Sequence, residues 1–411
     1  MKSDLRVESF LKLGYFIDYR GDERPIDFSR VERGPYEDVS RPDLIRIGQR
    51  KLRETFSQLF DPSQDHVVPI SGGLDSRLIL AALLELCPAE KLQTYTFGVP
   101  GTYDYDLGCL VAKHAGTKHL ALPISDISYH RDELIDFAKR SRRQAMLFVH
   151  PPLRELDRRY SGTKIWSGYV GDAVAGSHLH DPPSATLEQA KRTHIANRTI
   201  VRSTRLHQVS DSELLPLVSG GGMDPQVLTY DEQVLFAEAV AKFTEPLVLF
   251  SGFEYITPLI NTPWMDFMFS VPNRFRLNER LMIDLARETF PKLFGLPSKH
   301  TLGLGLGAPH ALLQVLSLAN KARKLMHQFV PGLVGYPHTL YNDYNEAIRH
   351  SPDVREIVTD AIAQLRERGV ANWVDYDGIW RRHRLRLRNH GDALIVLASL
   401  ELILQAQEGA D

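Results

Sequence analysis

The sequence predicts an α/β fold, a doubly wound parallel sheet with a helical C-terminal region. Three observations predict it. Between residues 66 and 166, short apolar runs of strand length alternate with helix patterns, as expected of a parallel sheet covered on both faces. A Gly-rich turn, Ser71-Gly-Gly-Leu-Asp-Ser76, separates the first of these strands from the first helix. From about residue 180 onward, the apolar residues recur at helical period.

Three segments are expected: an N-terminal extension with a leading helix (1–62), the α/β core (63–180) and a mainly helical region completing it (181–411). Phe10 to Tyr19 reads as a short helix and turn, and Arg20 to Arg41, rich in Pro, Gly and charge, as an irregular connection. Leu44, Ile47, Leu52, Phe56, Leu59 and Phe60 fall near helical spacing. His66 to Ile70 is a short buried strand, with Pro69 at its end, where a missing N–H matters least. Then follow a helix over Ser76–Leu86, a strand over Gln93–Phe97, a helix over Leu107–Ala115, a strand over Lys118–Pro123 and a short strand over Lys164–Trp166. Chain chirality makes the crossovers right-handed. Later helices are expected over Tyr230–Phe243, Pro263–Ser270, Asn278–Thr289 and Ala308–His327, with a buried apolar helix over Asp392–Gln405. There is no internal repeat and no low-complexity tract.

Composition narrows the function. With 49 Lys+Arg against 51 Asp+Glu, the net charge is −2, which excludes a generally basic nucleic-acid coat. Two cysteines, Cys87 and Cys109, exclude a disulfide scaffold and a four-cysteine zinc site. Both sit in helix patterns and are expected to be buried and inert. Met1-Lys-Ser-Asp-Leu-Arg-Val has no apolar core of a signal peptide. No stretch reaches the roughly 18 apolar residues of a membrane span. The expected compartment is the cytoplasm, with no membrane partner.

The chemistry resides in the first turn. Gly72 and Gly73 let the backbone approach a ligand and adopt positive φ. The helix start behind them offers free N–H groups and partial positive charge, so strand, turn and helix together make a phosphate cradle. Unlike a Walker loop, no Lys follows the glycines. The turn supplies Asp75, suited to Mg²⁺, and the hydroxyls of Ser71 and Ser76. A similar string, Ser219-Gly-Gly-Gly-Met-Asp224, follows no clear strand and precedes Pro225, so it reads as a flexible loop.

Ser71 to Ser76 resembles the pyrophosphate-binding loop of the ATP pyrophosphatases, and within that group the synthetase domain of the asparagine synthetase family. Three further segments agree in order and spacing: Tyr95-Thr-Phe-Gly-Val-Pro-Gly-Thr-Tyr-Asp104, Val111-Ala-Lys-His-Ala-Gly-Thr-Lys-His119 and Ser167-Gly-Tyr-Val-Gly-Asp172. The resemblance runs from about residue 44 to residue 310. It implies an adenine nucleotide alpha hydrolase-like sheet with ligands at the carboxyl ends of the strands. It also implies ATP cleavage between the α and β phosphates. A substrate carboxylate is adenylated with release of pyrophosphate, and an amine or ammonia then displaces AMP to form an amide.

The resemblance assigns Asp75 and Asp172 to Mg²⁺, which takes one or two carboxylates plus phosphate oxygens and water. The plainer alternative for Asp172 is the cap of a helix starting near Ala173. Ser71, Gly72, Gly73, Asp75 and Ser76 would hold the phosphates, and Phe97, Ser167 and Gly168 would line the nucleotide. Lys299, in Leu296-Pro-Ser-Lys-His-Thr301, matches a late-loop lysine that stabilises developing charge; its alternative is an ordinary surface lysine.

Two departures shape the expected reaction. Where asparagine-forming members carry Glu, this chain has Tyr169. That resembles β-lactam synthetases, where a Tyr–Glu pair deprotonates the attacking amine. Glu245 and Glu254 are the candidate partners, and packing against nucleotide or substrate is the alternative role. Glutamine-dependent members also begin with a Cys nucleophile domain, whereas residue 2 here is Lys and about 60 residues precede the loop. Nitrogen is therefore expected from ammonia, a separate glutaminase or pathway partner, or an amine substrate. The acid would be a small molecule or peptide, in a biosynthetic or tailoring pathway. Intramolecular β-lactam or peptide cyclisation, sulfur or tRNA chemistry, and non-catalytic nucleotide binding are the rivals. His178-Leu-His180 reads as a loop or strand face rather than a zinc site, and the basic run Trp380–Asn389 as a solvated helix face.

Overall fold

In the computed structural model, residues 3–20, 26–126, 128–144, 146–330, 338 and 342–408 are described. Five strands form one sheet: β1 (His66–Pro69), β2 (Leu92–Gly98), β3 (Lys118–Pro123), β4 (Lys164–Trp166) and β5 (Glu254–Ile256). Their order is β3-β2-β1-β4-β5, and each neighbouring pair is parallel. β1 is central, and its Val67 and Val68 are fully buried, as helices on both faces require. The chain steps outward from β1 to β3, then returns to lay β4 and β5 on the other flank. The loops after β1 and β4 thus diverge at one point, where a doubly wound sheet opens a crevice.

β5 is absent from the expected elements. It has three residues, begins on the exposed Glu254 and shows no alternation; pairing with β4 in the register Lys164↔Glu254, Ile165↔Tyr255, Trp166↔Ile256 makes it a strand.

On one face of the sheet the Arg41–Leu59 helix buries Leu44, Ile45, Leu52 and Phe56. Ser40 caps it by accepting from the Asp43 N–H, with a proline in its first turn. It shares a core with the helices Asp75–Leu83, Trp264–Ser270 and Arg280–Thr289. The opposite face carries Val67, Tyr95 and Ile165 against Leu156 and Tyr160 of the Leu153–Tyr160 helix. A second core surrounds the C-terminal helix Gly391–Glu408, whose residues Ala393 to Ile403 are buried without a break.

Several boundaries differ from expectation. The first helix spans Ser3–Leu13 rather than starting at Phe10, because Val7, Phe10 and Leu11 bury one face in the C-terminal core. Of the irregular stretch Arg20–Arg41, residues 21–25 lie outside the described residues. The helix expected from Leu107 begins at Tyr103, and the one expected from Asn278 begins at Arg280, since Asn278 and Glu279 adopt φ of 55° and 60°. Tyr230–Leu235 is α-helical, but Phe236–Thr244 continues as a wider π-helix. Cys87 and Cys109 are half-buried and unpaired, not buried, because the helix Asp75–Leu83 stops before Cys87 and Cys109 lies off the buried face of its own helix. The basic run is no single solvated face. The helix ends at Arg384, His383 is buried, and Arg388 stacks 4.3 Å from the Phe329 ring. Among the described residues no helix is long and apolar enough to cross a membrane.

Candidate active site

The crevice beside β1 and β4 is built from their two loops. After β1 the turn folds on itself: the Ser71 N–H donates to Ser76 Oγ at 3.3 Å, and the Gly73 N–H to Ser71 Oγ at 3.2 Å. The Asp75–Leu83 helix starts there, and no side chain at its N-cap position takes up its first N–H groups. Such a terminus suits an anion. The glycines serve close approach, not unusual backbone. Neither Gly72 nor Gly73 has positive φ, contrary to expectation, because the turn passes straight into a right-handed helix. A Cβ on Gly72 would lie 2.5 Å from the Tyr103 carbonyl oxygen and 3.3 Å from Lys299 Cβ.

The loop after β4 presses on this turn. A Cβ on Gly168 would meet Asp75 Cβ at 2.9 Å, and one on Gly171 would meet Asp75 Cγ at 2.8 Å. The Asp172 N–H donates to Asp75 Oδ2 at 3.2 Å. Asp75 Oδ1 is sealed from solvent with no hydrogen bond. Burial, with Asp172 and Glu279 nearby, pushes the Asp75 carboxyl well above its ordinary range. Burial also opposes ionisation of Asp172, but the hydrogen bond and charge of His178 win and hold it low. His178 Nε2 lies 3.3 Å from Asp172 Oδ2, which also accepts from Ser177 Oγ at 3.2 Å. Asp172 lies inside the Gly171–Ala175 helix, so it is not the cap of a helix starting at Ala173. Two adjacent carboxylates, one with a bare buried oxygen, fit a divalent cation that would relieve their repulsion. Among the described residues no group of three or more His, Cys, Asp or Glu is set to hold a metal.

Lys299 joins the same turn. Its backbone N–H donates to the Gly72 carbonyl at 2.8 Å, and its Nζ pairs with the Asp104 carboxylate in the first turn of the Tyr103–Ala115 helix. It is therefore not a stray surface lysine.

One residue of this site is missing from the sequence reading. Arg77 is fully buried; its Nη1 donates to the carbonyls of Leu293 (3.2 Å) and Leu296 (3.0 Å), and its Nη2 to that of Pro297 (2.7 Å). Burial lowers its pKa to about 10, which leaves it charged at neutral pH. It ties the helix behind the Ser71–Ser76 turn to the segment carrying Lys299, so it is a positioning residue. An arginine directly before the apolar run Leu78-Ile-Leu-Ala-Ala82 was the available signal. Arg77→Met is expected to lower stability by about 3 kcal/mol by stranding buried carbonyls, measured as a shift in the urea-unfolding midpoint.

The remaining candidates divide. Phe97 lies near the carboxyl end of β2, opposite Leu122, and packs half-buried on the Tyr95–Ile165 cluster. The Ser167 N–H is held by the Ile256 carbonyl at 2.8 Å, and its Oγ accepts from the Tyr169 N–H at 3.2 Å. The Tyr169 side chain is buried and lines a cavity of ≈ 330 Å³ together with Glu245, Phe28, Met223 and Phe236. Glu245 is buried, with Arg142 Nη1 3.3 Å from its Oε1. Glu254 is elsewhere: it opens β5 at the amino end of the sheet and pairs with Lys164. The loop Ser219–Asp224 follows a 3₁₀ turn rather than a strand, and its Gly220 and Gly221 wall the Tyr169 cavity. His178 and His180 line one cavity but pair with different carboxylates, His178 with Asp172 and His180 Nδ1 with Asp231 at 3.2 Å.

A family model described as asparagine synthase matches residues 63–299, from just before β1 to Lys299. No curated protein matches the chain.

Proposed function

Because the chain belongs to the asparagine synthase family, whose members are ATP-dependent ligases, we propose that it is an AMP-forming amide synthetase acting on a carboxylic acid other than free aspartate. The meeting of the Ser71–Ser76 turn, Asp75, Asp172 and Lys299 in one crevice supports this reading above all. ATP would lie with its β and γ phosphates on the turn's N–H groups and hydroxyls, and its base toward Phe97, Ser167 and Gly168. Mg²⁺, held by Asp75 and Asp172, would neutralise phosphate charge. Attack by the substrate carboxylate on the α-phosphate breaks the α–β bridge and releases pyrophosphate. Lys299 offsets the charge that builds there. An amine then attacks the acyl carbon, loses a proton and expels AMP. Ammonia, a separate glutaminase or an amine substrate would supply the nitrogen, and the cytoplasm is the proposed setting.

The buried side chains of Tyr169 and Glu245 line one cavity behind the second acidic loop. This favours a carboxylate-assisted tyrosine as the base and an amine that is part of a larger substrate, as in intramolecular cyclisation. Tyr169→Phe is expected to leave pyrophosphate release within about threefold and to slow amide formation by about 10²–10⁴, read as the ratio of pyrophosphate to amide product. The overall reading is tested by offering Mg-ATP with panels of acids and amines. AMP with pyrophosphate is the expected product pair; ADP with phosphate would overturn it.

A further inference from the structure

Among the described residues, the large apolar side chains that face solvent gather in one place. The helix His310–Phe329 has 20 residues and buries none of them; it is about 30 Å long. Val315, Leu318, Ala322, Leu325 and Phe329 follow at steps of three and four, so they share one face, and all five are exposed. Leu318 is 66% exposed and Leu325 58%. Leu385 and Leu387 add to the patch at 55% and 63%. They flank Arg386, whose φ of 55° is strained for a side chain of that size. The Arg386 fork is pinned to Glu346 of the Tyr344–His350 helix at 3.0 and 2.9 Å, which leaves the two leucines outward. This turn is fastened to the end of the long helix. Arg388 stacks on Phe329, the Asn389 N–H donates to the Gln328 carbonyl at 3.0 Å, and Asn389 Nδ2 donates to the His327 carbonyl at 2.5 Å. An apolar patch drawn from two joined elements marks an interaction site.

Cations edge the patch. Neither residues 310–330 nor residues 380–390 include an acid, and together they carry Lys321, Arg323, Lys324 and five further arginines. Arg382 and Arg386 are neutralised, by Asp375 at 3.5 Å and Glu346 at 2.9 Å. Lys321, Lys324, Arg381 and Arg384 make no ion pair among the described residues. The carboxylates of Asp343 and Asp392, beside these segments, accept backbone N–H groups, Asp343 from Asn345 and Glu346, Asp392 from Arg202 and Ser203. The face is therefore apolar at its centre and positive at its margin, which complements an extended anionic surface. A single partner helix would cover the Val315–Phe329 stripe but leave the leucine turn bare. A second copy of the chain would bring two sets of cations together.

We propose that this face docks the protein onto an anionic membrane surface. The helix lies in the plane of the interface with Val315, Leu318 and Leu325 among the acyl chains, Leu385 and Leu387 enter beside it, and the lysines and arginines meet the lipid headgroups. No span is involved, in keeping with the absence of a membrane-crossing helix among the described residues. The sequence expectation of no membrane partner tests for spans and leaders, and a helix lying on the surface escapes it. The inference is independent of the ligase reading.

The test is co-sedimentation of the full chain with vesicles of phosphatidylcholine alone and of phosphatidylcholine with about 30% phosphatidylglycerol. Wild type is expected to partition at least about tenfold more strongly onto the anionic vesicles, and raising the salt to about 0.5 M is expected to remove most of that preference. Leu318→Glu with Leu325→Glu is expected to lower binding at least about tenfold, with an unchanged melting temperature because both positions are exposed. Lys321→Glu with Lys324→Glu is expected to abolish the preference for anionic lipid. Should the first pair not fold, Leu385→Ser with Leu387→Ser carries the apolar arm, with the same direction expected. Equal binding of wild type to both vesicles, no binding to either, or binding that survives the apolar and the charge changes would overturn the proposal. So would light scattering showing a wild-type dimer that Leu318→Glu with Leu325→Glu splits while neither form sediments with vesicles; the occupant would then be a second copy.

Discussion

Lys299→Met is expected to slow formation of AMP and pyrophosphate by about two to three decades. A positive charge about 4 Å from a phosphate oxygen contributes about 4 kcal/mol at an effective dielectric near 20. Losing most of that from the transition state corresponds to the stated fall. The fold should survive, because the bond that fastens this residue to the phosphate turn is made by its backbone N–H to Gly72 and not by its side chain. Nζ now rests on Asp104, and triphosphate would compete for it. Arginine at this position is expected to restore only part of the rate, since a broad fork replaces a compact ammonium. Pyrophosphate release at saturating ATP is the measurement, and a change in kcat smaller than about tenfold would remove Lys299 from the chemistry.

The second large effect concerns packing. Gly72→Ala places a methyl group 2.5 Å from the Tyr103 carbonyl oxygen, 3.0 Å from its carbonyl carbon and 3.3 Å from Lys299 Cβ. Backbone atoms do not yield as a flexible side chain would, so the turn must shift. A cost of about 1–3 kcal/mol is expected, with ATP binding falling at least tenfold as the N–H groups leave their alignment. Gly73→Ala is the matched control: its methyl meets Ser71 Oγ at 3.3 Å and, among the described residues, nothing else within 4 Å. Thermal melts and ATP titrations on the pair separate the two. Equal behaviour of both variants would mean that close approach at Gly72 does not shape the turn.

Local patterns in the sequence reached far. The alternation from His66 to Trp166, the Gly-rich Ser71–Ser76 turn and the loop after β4 depend on neighbours within a few residues, and the positions of these elements agree with the structure. What was hidden depends on contacts distant in sequence. β5 exists because it pairs with β4 some ninety residues earlier. Arg77 matters because it reaches carbonyls beyond residue 290. Tyr169 stands out as an unusual letter in a motif, but its cavity is assembled from Phe28, Met223 and a π-helical stretch that periodicity reads as ordinary helix. Of the two glutamates weighed beside it, only topology separates Glu245 in that cavity from Glu254 at the far end of the sheet.

The hydrogen bond from the Asp172 backbone to Asp75, with Gly168 and Gly171 pressed against the same carboxylate, makes the two acidic loops one mechanical unit. Changes at Asp75 and Asp172 should therefore be strongly non-additive: once the first is removed, the second has little left to lose. A thermodynamic cycle on single and double alanine variants would report that interdependence as one coupling constant.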